Sequence, residues 1–149
     1  MRHLIGLAIF LCVVGVALAP ADDQEKAEKE LNRITAMAAD MTCHRIVSMT
    51  VADKLNVKRA DLVQERRQLN LNYGSLFLAH QLANGGDLKD VTAGLQSGKS
   101  LAQIAKEQHA NWKEIQQAAK KLNRKIEENL YNYFIDDRPL RARDQADRR

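Results

Sequence analysis

Apolar residues along the chain recur mostly three or four positions apart, and no window alternates in the period-two manner of a half-buried strand over a convincing length. From Asp22 to Met41, the residues Ala27, Leu31, Ile34, Ala38 and Met41 share one helical face. Asp22, Asp23 and Glu25 crowd its start, where the helix dipole favours negative charge. Thr42–Leu71 divides into two short helices. Val47, Val51, Ala52 and Leu55 line the first, Leu62, Val63 and Leu69 mark the second, and Asn56 stands between them where a left-handed residue suits. Leu71–Asn84 is the most apolar segment after the first twenty residues. Leu76, Ala79, His80 and Ala83 line it, Phe77 and Leu78 widen its face, and Gly85–Gly86 stops it, which predicts a central helix. Asp87 can cap a short helix, Leu88–Leu95, that ends near Gly98; Ser100 caps another, Leu101–Gln108. After a turn at His109–Ala110, a long helix is expected from Asn111 to Phe134, its stripe formed by Ala119, Leu122, Ile126, Leu130, Tyr133 and Phe134.

Short helices ending in tight turns predict an all-α fold, an orthogonal array of about six helices in all, made of an amphipathic N-terminal helix, 22–41, and a helical domain, 42–135. That N-terminal helix joins the rest only through Thr42–Cys43, so it is the expected mobile or partner-swapping element, with Cys43 at an interface.

The two ends of the chain differ in character. Met1–Arg2–His3 is a short basic start, Leu4–Ala19 carries no charge, and Ala17–Leu18–Ala19 overlaps a second small-residue exit at Ala19–Pro20–Ala21. This is the layout of a secretory signal peptide, 1–21, cleaved near Ala19–Ala21. The apolar run is shorter than the roughly 20 residues that span a bilayer, so no stable membrane span is expected after cleavage. Leu11 precedes Cys12 where lipid attachment needs a small residue, so no lipid anchor is expected. The protein is therefore expected in the periplasm or outside the cell, with Cys43 as its one remaining cysteine. At the other end, Asp136–Arg149 is charged, nearly free of large apolar groups and interrupted by Pro139, and is expected to be a disordered tail.

Composition narrows the function classes. With 149 residues, 45% hydrophobic and 28% charged, and a net charge of +4, the chain suits one domain and excludes a disordered acidic protein, a collagen or a multi-span membrane protein. Seven Gly and two Pro are too few for a turn-rich β-sandwich, and two Cys too few for a disulfide scaffold.

One pattern repeats. Val51-Ala52-Asp53-Lys54-Leu55-Asn56-Val57 aligns with Ile104-Ala105-Lys106-Glu107-Gln108-His109-Ala110, and the aliphatic residues Leu62 and Ile115 follow at equal spacing. Each copy has the form of a helix-turn-helix, in which a small Ala allows close crossing and Asn56 or His109 takes an unusual backbone angle. DNA binding would use Lys58, Arg59, Arg66 and Arg67 as phosphate contacts. An export signal and the interleaved Asp61 and Glu65 speak against it, so no nucleic-acid partner is expected.

Other motifs are weaker. Ala93–Ser100 (AGLQSGKS) matches a permissive phosphate loop, but the residues before it are helical and no strand is available to present it. Cys43, His44, His80 and His109 are the candidate metal ligands, without a recognised ligand spacing; His80 on an apolar face suits a core histidine whose ring is hydrogen-bonded. Cys43 with a histidine is the one candidate nucleophile, but adjacent His44 does not supply the spatial pairing required. Trp112, Tyr131, Tyr133 and Phe134 on the last helix are expected in the core rather than in an aromatic ligand platform. We accordingly assign no catalytic, cofactor-binding or metal-binding residue, and expect no cofactor and no enzyme.

From Leu69 to Ile115, Tyr73–Gly74, Ala79–His80, Leu82–Ala83, Gly98–Lys99 and Ile104-Ala105-Lys106-Glu107 resemble a loosely defined group of small exported bacterial proteins of unknown function. Ser100–Leu101 stands where that group often has Gly-Trp, and His109–Ala110 where it has Gly-Val. The resemblance implies a compartment and a helical fold and carries no activity. The expected function is that of a non-enzymatic binding or structural protein of the cell envelope, acting on a protein partner or on itself. The alternatives are a module for a metal or small ligand through Cys43, His80 and His109, and a DNA-binding protein.

Overall fold

A computed structural model of the chain describes residues 21–135, all of them in helices or the turns between them. The expected signal peptide lies outside the described residues except for Ala21, and the expected tail lies outside them entirely. Seven helices follow in order: α1 (Ala21–Ala39), α2 (Met41–Leu55), α3 (Arg59–Gln68), α4 (Tyr73–Leu82), α5 (Lys89–Gln96), α6 (Leu101–Glu107) and α7 (Trp112–Ile135). The fold is all-α as the periodicity predicts. The count exceeds the expected six by one, because every segment of the pattern forms its own helix.

The turns are set by backbone chemistry. Asp40 separates α1 from α2 by capping α2, its carboxylate accepting from the Thr42 amide at 2.8 Å. At the end of α2, Asn56 lies at φ 55°, and the amides of Val57 and Asn56 donate to the carbonyls of Ala52 (3.0 Å) and Asp53 (3.2 Å). The end of α6 repeats this, with His109 at φ 51° and amides from Ala110 to Ala105 (2.9 Å) and from His109 to Lys106 (3.2 Å). These paired bonds satisfy carbonyls that a helix end otherwise leaves orphaned. The ends of α3 at Asn70 and of α5 at Gly98 use the same closure. Ser100 and Gln103 form a reciprocal capping box at the start of α6.

The core is not arranged as the N-terminal segment's single covalent joint suggests. α1 packs more extensively on α7 than any other two helices pack on each other, and it also lies against α2 and α4. Ala27, Leu31, Ile34 and Ala38 of α1 are buried against Ile115, Ala119, Leu122 and Ile126 of α7 and Val47 and Val51 of α2. Buried Asn123 of α7 donates to the Glu30 backbone carbonyl at 2.9 Å and to its carboxylate at 2.7 Å. One turn on, Arg33 pairs with Glu127. These pairings run α1 and α7 in the same direction. α1 is therefore a central element of the core and not a mobile appendage. Asn129 of α7 donates to the Thr50 hydroxyl of α2 at 2.9 Å, and α2 runs back along α7 in the opposite sense. The three longest helices thus lie alongside one another, and the expected array of short helices describes α3–α6. Ala79, Val91 and Ile104 hold α5 and α6 on α4 as a smaller cluster.

α4 meets α1 at closest approach through Gly74. A Cβ built there would lie 2.1 Å from the Leu31 carbonyl oxygen and 2.7 Å from the Thr35 hydroxyl oxygen. The Gly74 amide donates to that hydroxyl (3.2 Å), which donates to the Asn72 side-chain carbonyl (2.9 Å), and the same oxygen caps α4 by accepting from Ser75 (2.8 Å).

Candidate functional site

The sequence candidates scatter into separate structural roles. His80 Nε2 lies 2.9 Å from the Glu65 carboxylate, with the His80 side chain 12% exposed, so it is the hydrogen-bonded histidine its apolar face suggested. His44 packs edge-on against the Tyr73 ring at 5.3 Å, and the Arg66 guanidinium lies over the same ring, 5.2 Å from its centroid. Cys43 is half-buried against the core; burial, and then the charge of Asp40, push its thiol up, away from the thiolate that nucleophilic chemistry uses. No group of three or more His, Cys, Asp or Glu residues that could hold a metal ion occurs among the described residues.

The four bases considered for DNA are divided as well. Arg59 donates from Nε to the buried Ser48 hydroxyl at 2.7 Å, and Arg66 is spent on Tyr73. Lys58, Arg59 and Arg67 of the set are exposed on α3 and its cap, Arg59 with its Nε already engaged. In the phosphate-loop-like stretch, Gly98 closes α5 and Ser100 opens α6, with α5 helical immediately before it.

The feature that stands out lies at one end of α2 and α7. Among the described residues, the large hydrophobic side chains that are exposed are Met41, Met49, Tyr131, Tyr133, Phe134 and Ile135. All belong to the first nine residues of α2 or the last five of α7. The opposed directions of these helices bring those parts together, and Ile46, Met49, Asn132 and Tyr133 line one shallow cavity of about 300 Å³. It continues along α2 and α7 into a second hollow of about 330 Å³ floored by Leu122 and edged by Lys54, Lys121 and Lys125. The expectation that Tyr131, Tyr133 and Phe134 are core residues is therefore wrong, while Trp112 is buried as expected. The apolar stripe of α7 continues past the stretch that α1 and α2 cover. Tyr133 and Phe134 stack edge to face at 5.4 Å, and their exposures are 60% and 54%.

A second, polar cleft of about 440 Å³ lies where the end of α4 meets the α6–α7 turn. Its lining includes Gln81, Asn84, Gln108, His109, Asn111 and Glu114. His109, whose backbone is left-handed, lines this cleft together with Glu114.

Compared with protein families, curated proteins and solved structures, the chain matches none. No helix of the described residues is long and apolar enough to cross a membrane.

Proposed function

We propose that this chain is an exported, non-enzymatic protein of the bacterial cell envelope that works by binding a protein partner through the end of α2 and α7. The observation that carries this reading is the concentration of all six exposed large hydrophobic residues of the described chain at that one end. Isolated apolar side chains on a surface need no explanation, but a contiguous apolar patch marks an interaction site. Export rests on the basic start, uncharged run and small-residue exit of residues 1–21. The test places a photo-crosslinking residue at Tyr131 and, as a control, at Gln103 on α6, in the chain expressed with its leader. A processed chain beginning near Asp22, with a protein adduct from position 131 and none from 103, is the expected result. An unprocessed cytoplasmic chain, or no adduct from position 131, overturns it.

The cleft beside His109 favours a second reading, a module for a small neutral ligand. Its carboxamides at Gln81, Asn84, Gln108 and Asn111 both donate and accept, which suits hydroxyl or amide groups. The DNA-binding alternative draws no support from Arg59 and Arg66, whose side chains are engaged within the fold.

A further inference from the structure

Resting on the second reading above, of the cleft beside His109, we propose that this cleft binds a neutral saccharide unit by its hydroxyl groups. The cleft lies toward the far end of α7 from the exposed aromatic residues, since the helix rises about 25 Å between Glu114 and Tyr131. Its volume of about 440 Å³ falls within the range of small-molecule sites, about 300–1,000 Å³.

The lining selects the class of ligand. No lysine or arginine is among the described residues that line it, and Glu114 is its carboxylate. A phosphate or another anion would meet that negative charge with no fixed cation to offset it. Hydrogen-bonding capacity, by contrast, is abundant. Gln81, Asn84, Gln108 and Asn111 each carry an amide that donates and a carbonyl that accepts, and the Glu114 carboxylate accepts. Among the described residues, no hydrogen bond uses the side chains of Gln81, Asn84, Gln108 or His109, and Asn111 spends only its carbonyl oxygen, on the Glu114 amide at 3.3 Å. The neighbouring hollow between α5 and α6 differs, because Lys99 and Glu107 pair there at 2.7 Å and use up its charges. Adjacent hydroxyls, each a donor and an acceptor, match side-chain amides and a carboxylate. Beneath these groups Leu82, Ala110 and Ile115, buried or half-buried, form a floor suited to the C–H face of a sugar ring. A peptide ligand finds no such match: it recognises a sheet edge through its backbone, and the described residues contain no strand.

The rim is fixed before any ligand arrives. Asn84 lies at φ 52° and His109 at φ 51°, and the amides of Asn84 and His109 donate to the carbonyls of Gln81 (3.1 Å) and Lys106 (3.2 Å). Glycine takes this conformation with the least strain, and α5 closes on Gly98 in the same way. The turn after α6 therefore does not itself call for an imidazole, and His109 lines the cleft instead. Side chains held on a preformed rim lose little freedom on binding.

The test titrates the full chain with glucose and with N-acetylglucosamine and follows its side-chain amide resonances by nuclear magnetic resonance. Those of Gln81, Asn84, Gln108 and Asn111 are expected to move together, with a Kd of about 2 mM or tighter for a ligand of about 12 non-hydrogen atoms. His109→Gly and Asn84→Gly each remove a lining side chain and keep the left-handed turn. Each is expected to weaken binding by at least ~10-fold, as loss of a polar contact to a buried hydroxyl does, while the urea midpoint stays near wild type. Resonances that stay still with both sugars at ~20 mM, about ten times that constant, overturn the proposal. Sugar binding that both glycine variants leave intact places the site elsewhere and overturns it too, as does glucose 6-phosphate binding more tightly than glucose. If N-acetylalaninamide moves the cleft resonances and the sugars do not, the saccharide falls and a small neutral ligand stands. If none of these probes moves them, the reading of the cleft as a ligand site falls as well.

Discussion

Replacing Gly74 with alanine adds one methyl group at the place where α4 lies closest to α1. In a helix the change by itself is favourable by up to about 1 kcal/mol, because glycine loses more backbone entropy on folding. Here the new carbon would sit 2.1 Å from the Leu31 carbonyl oxygen and 2.8 Å from its carbonyl carbon, where about 3.5 Å is a comfortable separation. Both atoms belong to the backbone of α1, so no side chain can rotate away. The helices must part by roughly 1 Å, loosening Leu31, Leu76 and Phe77 and lengthening the bond from the Gly74 amide to Thr35. Overpacking of this kind costs about 1–3 kcal/mol, and a backbone obstacle belongs at the top of that range. We expect a net loss of about 2–3 kcal/mol from a total of about 5–15 kcal/mol. Gly94→Ala is the internal control. Its Cβ would meet only the Ile104 side chain, at 2.8 and 3.0 Å, which can turn aside, so the helix-propensity gain and the packing cost should cancel to within about 1 kcal/mol. Urea unfolding followed by circular dichroism reads both. With a slope of about 1–3 kcal/mol per molar urea, Gly74→Ala should lower the midpoint by about 1 M or more, and Gly94→Ala far less. Equal midpoints for wild type and Gly74→Ala would refute the close crossing of α1 and α4.

Two further substitutions probe the polar contacts of the fold. Asn123→Asp would set a buried carboxylate against the Glu30 carbonyl and carboxylate that Asn123 now donates to, and should cost about 3 kcal/mol or more at neutral pH. The new acid would have a raised folded pKa, so the penalty is absent below the unfolded value near about 4 and grows as pH rises through it; a thermal midpoint that does not recover in acid would contradict this. At Asp40 the sign is opposite. The Thr42 hydroxyl, and then its amide, hold the Asp40 carboxyl below the ordinary carboxylate range. Its stabilisation is present above the unfolded value and is lost as pH falls through the lowered folded one. Asp40→Asn, which can still cap α2, should therefore flatten the acid limb of the stability profile, and an unchanged limb would show that Asp40 does not contribute to it.

What was legible in the chain was local. Asn56 and His109 could be placed at left-handed turn positions because a helix that ends before an apolar residue needs such a closure, and the structure puts both there. Asn70 and Asn84 take the same conformation; asparagine's tolerance of it was the available signal. Ser100 was readable as a cap for the same local reason. Partnership between distant helices was not readable. Periodicity shows which face of α1 is apolar, but the bond from Asn123 to Glu30 joins residues on two helices at opposite ends of the described chain. The function of Gly74 was likewise hidden, because its crowding neighbours Leu31 and Thr35 belong to another helix.

The aromatic end of α7 shows why a correct local pattern can yield a wrong environment. Tyr133 and Phe134 continue the stripe that includes Leu122, Ile126 and Leu130, and a stripe says only that these residues seek cover on one side. Whether cover is present depends on how far the neighbouring helices reach. α7 has 24 residues and α1 has 19, about 36 Å against about 28 Å at the helical rise. Glu30 lies beside Asn123 and Arg33 beside Glu127, so extending that register sets Ala39 near residue 132, and α7 outruns α1 just where Tyr133 and Phe134 begin. On the other flank α2 supplies Ile46 and Met49 but leaves Met49 itself 45% exposed. Tyr133 and Phe134 are 60% and 54% exposed; at about 25 cal/mol per Å² and roughly 200 Å² per ring, leaving that surface in water forgoes on the order of 5 kcal/mol, a large share of the stability of a domain this size. The core of α7 is already closed at Leu130, so the last turn adds nothing to the monomer that would offset this. A partner that meets the overhang recovers it, and that is the physical basis for placing the function of the chain at this end.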